Sequence, residues 1–315
     1  MEKSLRNWAL ERGYGIAWSG GELVRRGFAR LRELKDSGAL DPAFYREFLS
    51  WLDDPDILAK SECRTVILVA LPRPAHSISF EHGDRSHDFI IPSTYHRYRA
   101  TFEDVLADLT AVTADKLRLR VLKAPLKTLA ALTGLARYGK NNLAYVRPHG
   151  SYVQLVGLAT DAALDETGAG PEPPLASLEE CATCRVCEKA CPSRAIGLGR
   201  FLLHGETCLT AFSESEGKLP EAYAALRSRC LIGCLACQEK CPANKGLLRL
   251  ERLPGSFTAA ETSALVGEPG ITLPSAPALV EKVGALDCTE LTISEAGPNP
   301  IFRRNLRALL SPSLT

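Results

Sequence analysis

No apolar run in the 315-residue chain approaches the ~18–20 residues that a membrane-spanning helix needs. The longest, Thr65–Leu71 (TVILVAL), is short and β-branched, which predicts a buried strand. The opening stretch MEKSLRNWALERG is charged and amphipathic, and it carries neither the apolar core of a secretory signal nor a twin-arginine motif. A cytoplasmic protein with no membrane partner is the expectation. A large net charge is also missing. At +1 the chain offers no global electrostatic ground for binding nucleic acid or an anionic surface. Walker loops, dinucleotide-binding glycine fingerprints and Gly-x-Ser-x-Gly elbows are absent, and so are low-complexity tracts. Phosphate-cradling and serine-nucleophile chemistries therefore have no footing here.

What remains is an ordinary globular composition, 45% hydrophobic and 24% charged, long enough for two domains. Residues 1–165 mix helical and strand patterns. Leu31–Leu52 reads as helix, turn, helix. Thr101–Leu117 reads as an amphipathic helix and Leu126–Leu135 as a short one. Leu143–Val146 and Tyr152–Ala159 read as strands around a Pro-His-Gly-Ser turn. Residues 166–174 (ETGAGPEPP) read as a linker. Residues 175–248 form a cysteine-rich module. Residues 249–315 read as a C-terminal tail packing back on the core, with an apolar segment at Ala278–Leu286 and a closing helix near Pro300–Leu310. The expected fold class is α+β: a mixed α/β domain followed by a ferredoxin-like domain.

Eleven cysteines are many for a reducing compartment, where such usage signals metal or redox chemistry rather than disulfides. Cys63 and Cys288 stand alone and read as small buried hydrophobes. The other nine lie between Cys181 and Cys241. Cys181-x2-Cys184-x2-Cys187-x3-Cys191-Pro192 matches the bacterial ferredoxin run, in which three close thiolates wrap one cluster and the fourth reaches the other. The tail recurs as Cys234-x2-Cys237-x3-Cys241-Pro242. Proline after the last cysteine suits a helix start, where its missing N–H costs nothing. Zinc also binds C-x2-C pairs, but zinc ribbons need neither the third and fourth cysteines nor the Cys-Pro endings. Two 4Fe–4S clusters need eight thiolates and the region offers nine. The ninth is Cys208 or Cys230; the four-residue step from Cys230 to Cys234, where a ferredoxin repeat has three, counts against Cys230.

These residues resemble the epoxyqueuosine reductases and, more remotely, the reductive dehalogenases. The resemblance runs from about Cys63 to Lys245, with an echo at Phe302–Leu310 (FRRNLRALL). It implies a nitroreductase-like, corrinoid-binding N-terminal domain joined to a two-cluster module. Its lone cysteine about sixteen residues after the first motif matches Cys208 in Glu206-Thr-Cys208-Leu-Thr-Ala-Phe212. By that analogy one cluster takes Cys181, Cys184, Cys187 and Cys241, and the other takes Cys191, Cys208, Cys234 and Cys237. Gly134-Leu-Ala-Arg-Tyr-Gly-Lys-Asn-Asn142 and Gly150-Ser-Tyr152 are similar to the family's segments that lie against the corrin. They offer Gly139, Lys140, Asn141, Asn142, Gly150, Ser151 and Tyr152 as cobalamin contacts. Read without the resemblance, the same stretch is a helix-to-strand turn.

One departure matters. The family's V-D-S-A-P segment carries a proposed proton-donating aspartate. Here it reads Val121-Leu-Lys-Ala-Pro125, with Leu122 at the aspartate's place. Ile91-Pro-Ser-Thr-Tyr95 and Ala124-Pro-Leu-Lys-Thr-Leu-Ala130 are closer to a subset of anaerobe proteins. Dehalogenase-like sites pair a tyrosine with a basic residue, so the resemblance offers Tyr95, Tyr98, Lys123 and Tyr138 as proton donors. A cation beside a phenol stabilises phenolate and lowers its pKa. The competing reading of each is a partly buried ring or solvated side chain in a polar loop. His82, His87 and His149 lack metal-ligand spacing.

The expected function is an iron–sulfur oxidoreductase that passes electrons to a substrate through a bound corrinoid. The donor would be a ferredoxin or flavodoxin, and the partner a small-molecule substrate or a corrinoid protein. An electron-transfer or activation protein without turnover of its own is the alternative. A true epoxyqueuosine reductase acting on tRNA is disfavoured by the missing aspartate.

Overall fold

In the computed structural model, residues 1–165, 177–197, 202–217, 219, 229–268, 277–294 and 297–311 are described. The expected linker at 166–174 lies outside them.

The first sheet is antiparallel throughout. Its order is β1 (Gly15–Gly20), β2 (Thr65–Pro72), β8 (Val153–Thr160), β5 (Arg120–Val121). β2 is buried along nearly its whole length because helices cover both faces. Val66, Leu68 and Ala70 point to one core, shared with helices Glu22–Asp36 and Leu126–Leu132. Ile67, Val69 and Leu71 point to the other, shared with helices Glu2–Glu11 and Tyr98–Val112. Successive strand residues face opposite sides, so seven apolar residues in a row serve two helical layers.

A second sheet forms where the sequence pattern showed none. Hairpin β3 (Ala75–His82) and β4 (Arg85–Ile91) turns at Gly83 and pairs, through β3, with the distant β9 (Leu250–Phe257) in parallel. Ile78, Phe80, Phe89 and Ile91 pack with Phe257, Leu265, Leu279, Phe302 and Leu306 in a core of their own. Residues from 250 onward therefore build a second globular half around this hairpin. Helix Pro300–Leu310 closes it, capped by the Asn299 side chain.

The cysteine module bridges the halves. On one side it meets the short hairpin β6 (Arg137–Tyr138) and β7 (Ala144–Tyr145) and the turn before β8. On the other, Cys230 bridges to Ile90 at the end of β4, and Leu231 and Ile232 enter the second core.

Candidate iron–sulfur site and adjoining acid pair

The eight cysteines fall into two groups of four. The thiols of Cys181, Cys184 and Cys187 and of Cys241 lie close enough that their charges act on one another. The same holds for Cys191, Cys208, Cys234 and Cys237. Each sequence motif thus sends its Cys-Pro cysteine to the other group. Cys208 joins the second group from outside either motif, while Cys230 is buried among Ala75, Ile90, Tyr152 and Leu235. Among the described residues no three His, Cys, Asp or Glu side chains converge on a point that would hold a single metal ion.

Local conformation explains the aim of the sulfurs. Cys208 and Cys241 have extended backbone immediately before a helical turn, and Cys191 is extended at the end of helix Val186–Ala190. Burial pushes the Cys187 and Cys234 thiols up to about 11, with neighbouring cysteine charges adding to it. Burial likewise raises Cys181, Cys208 and Cys237. Iron would bind the thiolates and displace these protons. The eight donors fit two 4Fe–4S clusters.

The residues that the resemblance offers for a corrin are largely bonded into this module instead. Lys140 donates to the Cys184 carbonyl at 2.8 Å and pairs with Glu188 at 3.6 Å. Asn141, 2% exposed, donates to the Tyr145 hydroxyl at 3.0 Å and stabilises the Cys237 thiolate. Gly139 lies against the Tyr145 ring. Gly150 has φ +63°, and a Cβ there would collide with Asn244 and Leu247. The next backbone N–H, of Ser151, donates to Asn244 Oδ1 at 2.9 Å, and the Ser151 hydroxyl donates to Gln238 at 3.0 Å. Tyr152 is buried beside Cys230 and Leu235. Asn142 holds φ +60°, and its carbonyl faces Lys127 at 3.4 Å. These side chains clamp the cluster module to the first domain.

The four candidate proton donors are separated. Tyr98 is 45% exposed at the start of its helix. Lys123 lies over the Trp51 ring at 5.2 Å. Tyr138 is buried, with its hydroxyl 3.2 Å from Thr128 Oγ1. Leu122, at the place of the family's aspartate, points into the first core. Only Tyr95 approaches the clusters. Its hydroxyl donates to Glu214, and its ring lies on Gly233, the residue before Cys234. Gly233 has φ +69°, and a Cβ there would stand 2.7 Å from the Tyr95 oxygen, so the ring fits only over glycine.

Glu214 is a residue that sequence reasoning passed over. It ends helix Leu209–Glu214, which begins directly after Cys208. Burial pushes its carboxyl up to about 7, against the Tyr95 hydrogen bond and the Lys127 charge, both of which favour carboxylate. Lys127 touches solvent yet is surrounded by protein, and burial lowers its pKa. Arg304 and Asn305, in the C-terminal echo, were also missed. Asn305 donates to the carbonyls of Ser213 and Leu231, both at 2.9 Å, and Arg304 donates to those of Phe212 and Ser215 at 2.8 and 2.6 Å. Together they pin the two segments that carry Cys208 and Cys234.

A family model described as a 4Fe-4S double cluster binding domain matches residues 180–244. The chain is 28% identical over 218 residues to the epoxyqueuosine reductase of Bacillus anthracis, covering 64% of this chain and 55% of that one. It is 33% identical over 119 residues to that of Lactococcus garvieae, covering 38% and 32%. The solved epoxyqueuosine reductase from Streptococcus thermophilus superposes on 98% of this chain and 80% of its own, with a TM-score of 0.67 at 17% identity. In sequence and in fold the chain is similar to the epoxyqueuosine reductases. The epoxyqueuosine reductase-like chain spans about half the length of the first curated relatives it matches. A further epoxyqueuosine reductase structure, with an epoxyqueuosine-modified tRNA-Tyr stem loop, has a TM-score of 0.63 at 18% identity. At these identities the superpositions establish the fold of the epoxyqueuosine reductase-like chain: mixed α/β with a double-cluster domain in its C-terminal part.

Proposed function

We propose that this protein is an iron–sulfur reductase. A one-electron donor of ferredoxin or flavodoxin class supplies electrons, and the acceptor binds on the Cys208 side of the module, beside Tyr95, Lys127 and Glu214. The observation that carries this reading is the exchange of Cys191 and Cys241 between the two foursomes. It draws both foursomes from one module, and the Tyr95–Glu214 pair adjoins the segments that carry Cys208 and Cys234. The clusters, when bound, supply single electrons at low potential. The chain's own residues orient the acceptor and hold the proton.

The resemblance implies that this acceptor is a corrinoid. Its assigned contacts are bonded into the cluster module, so no step is drawn through a corrin. Anaerobic purification with hydroxocobalamin tests this. Iron and sulfide at eight per chain, four for each of two clusters, with no corrin retained, is the expected result. A stoichiometric cobalt band with a cob(II)alamin EPR signal would restore the corrinoid reading. Fewer than eight irons after full anaerobic reconstitution would count against the reductase.

A second reading is epoxyqueuosine reduction on tRNA, favoured by the named relatives and by the neighbour with a tRNA stem loop. Against it stands Leu122, buried and apolar where the family's acid would be. Nucleoside analysis of tRNA from a deletion strain decides: accumulated epoxyqueuosine supports this reading, and unchanged queuosine removes it.

A further inference from the structure

Leu122 leaves the family's acid position without a carboxyl, yet a reductase needs protons as well as electrons. Among the described residues, Glu214 ends one ligand segment of the second cluster and bonds a tyrosine packed on the other, while Glu239, between Cys237 and Cys241, also acts on the Cys234 thiol. Glu214 sits six residues after Cys208, at the end of the helix that Cys208 precedes. Its partner Tyr95 lies on the turn that leads into Cys234. The pair is half-buried, and the neighbouring backbone is rigidly held. The Gly233 N–H donates to Ser213 Oγ at 2.6 Å, and Asn305 and Arg304 bind the carbonyls around Glu214.

We propose that Glu214, through its hydrogen bond with Tyr95, is the proton-loading site of this protein, and that it takes up a proton as an electron reaches the second cluster. This rests on the reductase reading above. One electron from the external donor adds one negative charge beside the carboxylate. Glu214 binds one proton from water, and the site's total charge stays the same. When the acceptor is reduced, the electron leaves with a proton passed from the Tyr95 hydroxyl, and Glu214 returns its proton to the Tyr95 oxygen. Two such loadings deliver two electrons and two protons and regenerate the carboxylate.

The electrostatics agree with this placement. Burial already brings the Glu214 carboxyl near neutrality, and Glu290 pushes in the same direction. Lys127 and the Tyr95 hydroxyl oppose them. Cys288 and Glu290 face Tyr95 from the segment after helix Pro277–Gly284. Arg304 is occupied with the carbonyls of Phe212, Ser213, Ser215 and Gly217. An added negative charge at the Cys208 foursome raises Glu214 further, because a like charge disfavours the ionised form.

The test is an EPR-monitored redox titration of the reconstituted, full-length protein between pH 6 and 9. The second cluster is identified as the signal lost in Cys208→Ser. Its midpoint potential is expected to fall as pH rises above neutrality, toward the one-proton, one-electron limit of about 59 mV per pH unit. In Glu214→Gln, with eight irons retained, the potential is expected to be flat. Tyr95→Phe removes the bond that favours carboxylate, so the onset of the slope moves to higher pH. A pH-independent wild type, or a Glu214→Gln variant with the wild-type slope, overturns the proposal. Either outcome leaves the iron content and the two EPR signals unchanged, so it is distinct from failure of the reductase reading.

Discussion

At the scale of single residues, the cysteine assignment makes the sharpest prediction. Cys208→Ser should lose the second cluster and roughly halve the iron, whereas Cys230→Ser should keep both clusters. Iron and sulfide analysis with EPR distinguishes them. His76 gives a pH prediction. It is 6% exposed, its ring lies tilted against that of His96 with centroids 4.2 Å apart, and burial holds it at a pKa of about 4, below the ordinary 6.5. The unfolded chain binds that proton more readily. Stability is therefore unaffected above pH 6.5 and falls as pH drops from 6.5 toward 4, by about 3 kcal/mol over the window. Melting curves of wild type and His76→Phe should converge at acid pH relative to their difference at pH 7.5.

At the scale of elements, what the sequence reveals depends on whether its signal is local. The ferredoxin spacing of Cys181–Cys191 is local geometry, and it was legible. Strand Thr65–Leu71 and helix Pro300–Leu310 were legible because their apolar patterns are strong. Hairpin Ala75–Ile91 was not. It carries Ser77, Ser79 and Asp88, and its partner β9 contains Pro254 and Gly255, so its burial comes from a pairing some 170 residues away in sequence. The Gly-Lys-Asn-Asn segment was legible as a special turn, but no local pattern says whether Asn141 faces a cofactor or Cys237. The interdomain clamp is open to test at Asn244. Asn244→Ala would orphan the buried Ser151 N–H, a loss of about 1–3 kcal/mol. Lower denaturant midpoints and faster cluster loss in air are the expected readouts. Phe302→Ala should cost about 3–5 kcal/mol by opening the second core.

At the scale of the molecule, two halves with separate cores grip one cysteine module. The first half holds it through Lys140, Asn141 and Ser151, the last bonded to the module's Asn244. The second holds it through Arg304 and Asn305 and takes the module's Leu231 and Ile232 into its core. A motion that parted the two motifs within the module would strain both foursomes, because each draws a cysteine from the other's motif. The two clusters should therefore be lost together rather than one by one on mild denaturation, apart from variants that remove a ligand outright. Following both EPR signals through a urea series checks this.

Asn305 has a consequence for the order in which the protein is made. The carbonyls it joins belong to segments synthesised some 70 to 90 residues earlier. Until helix Pro300–Leu310 has left the ribosome, the segments that carry Cys208 and Cys234 are joined by the Gly233-to-Ser213 hydrogen bond without the added fastening of Asn305. Iron delivered to a nascent chain would meet the first motif early and the second foursome late, so maturation of the second cluster awaits the last helix.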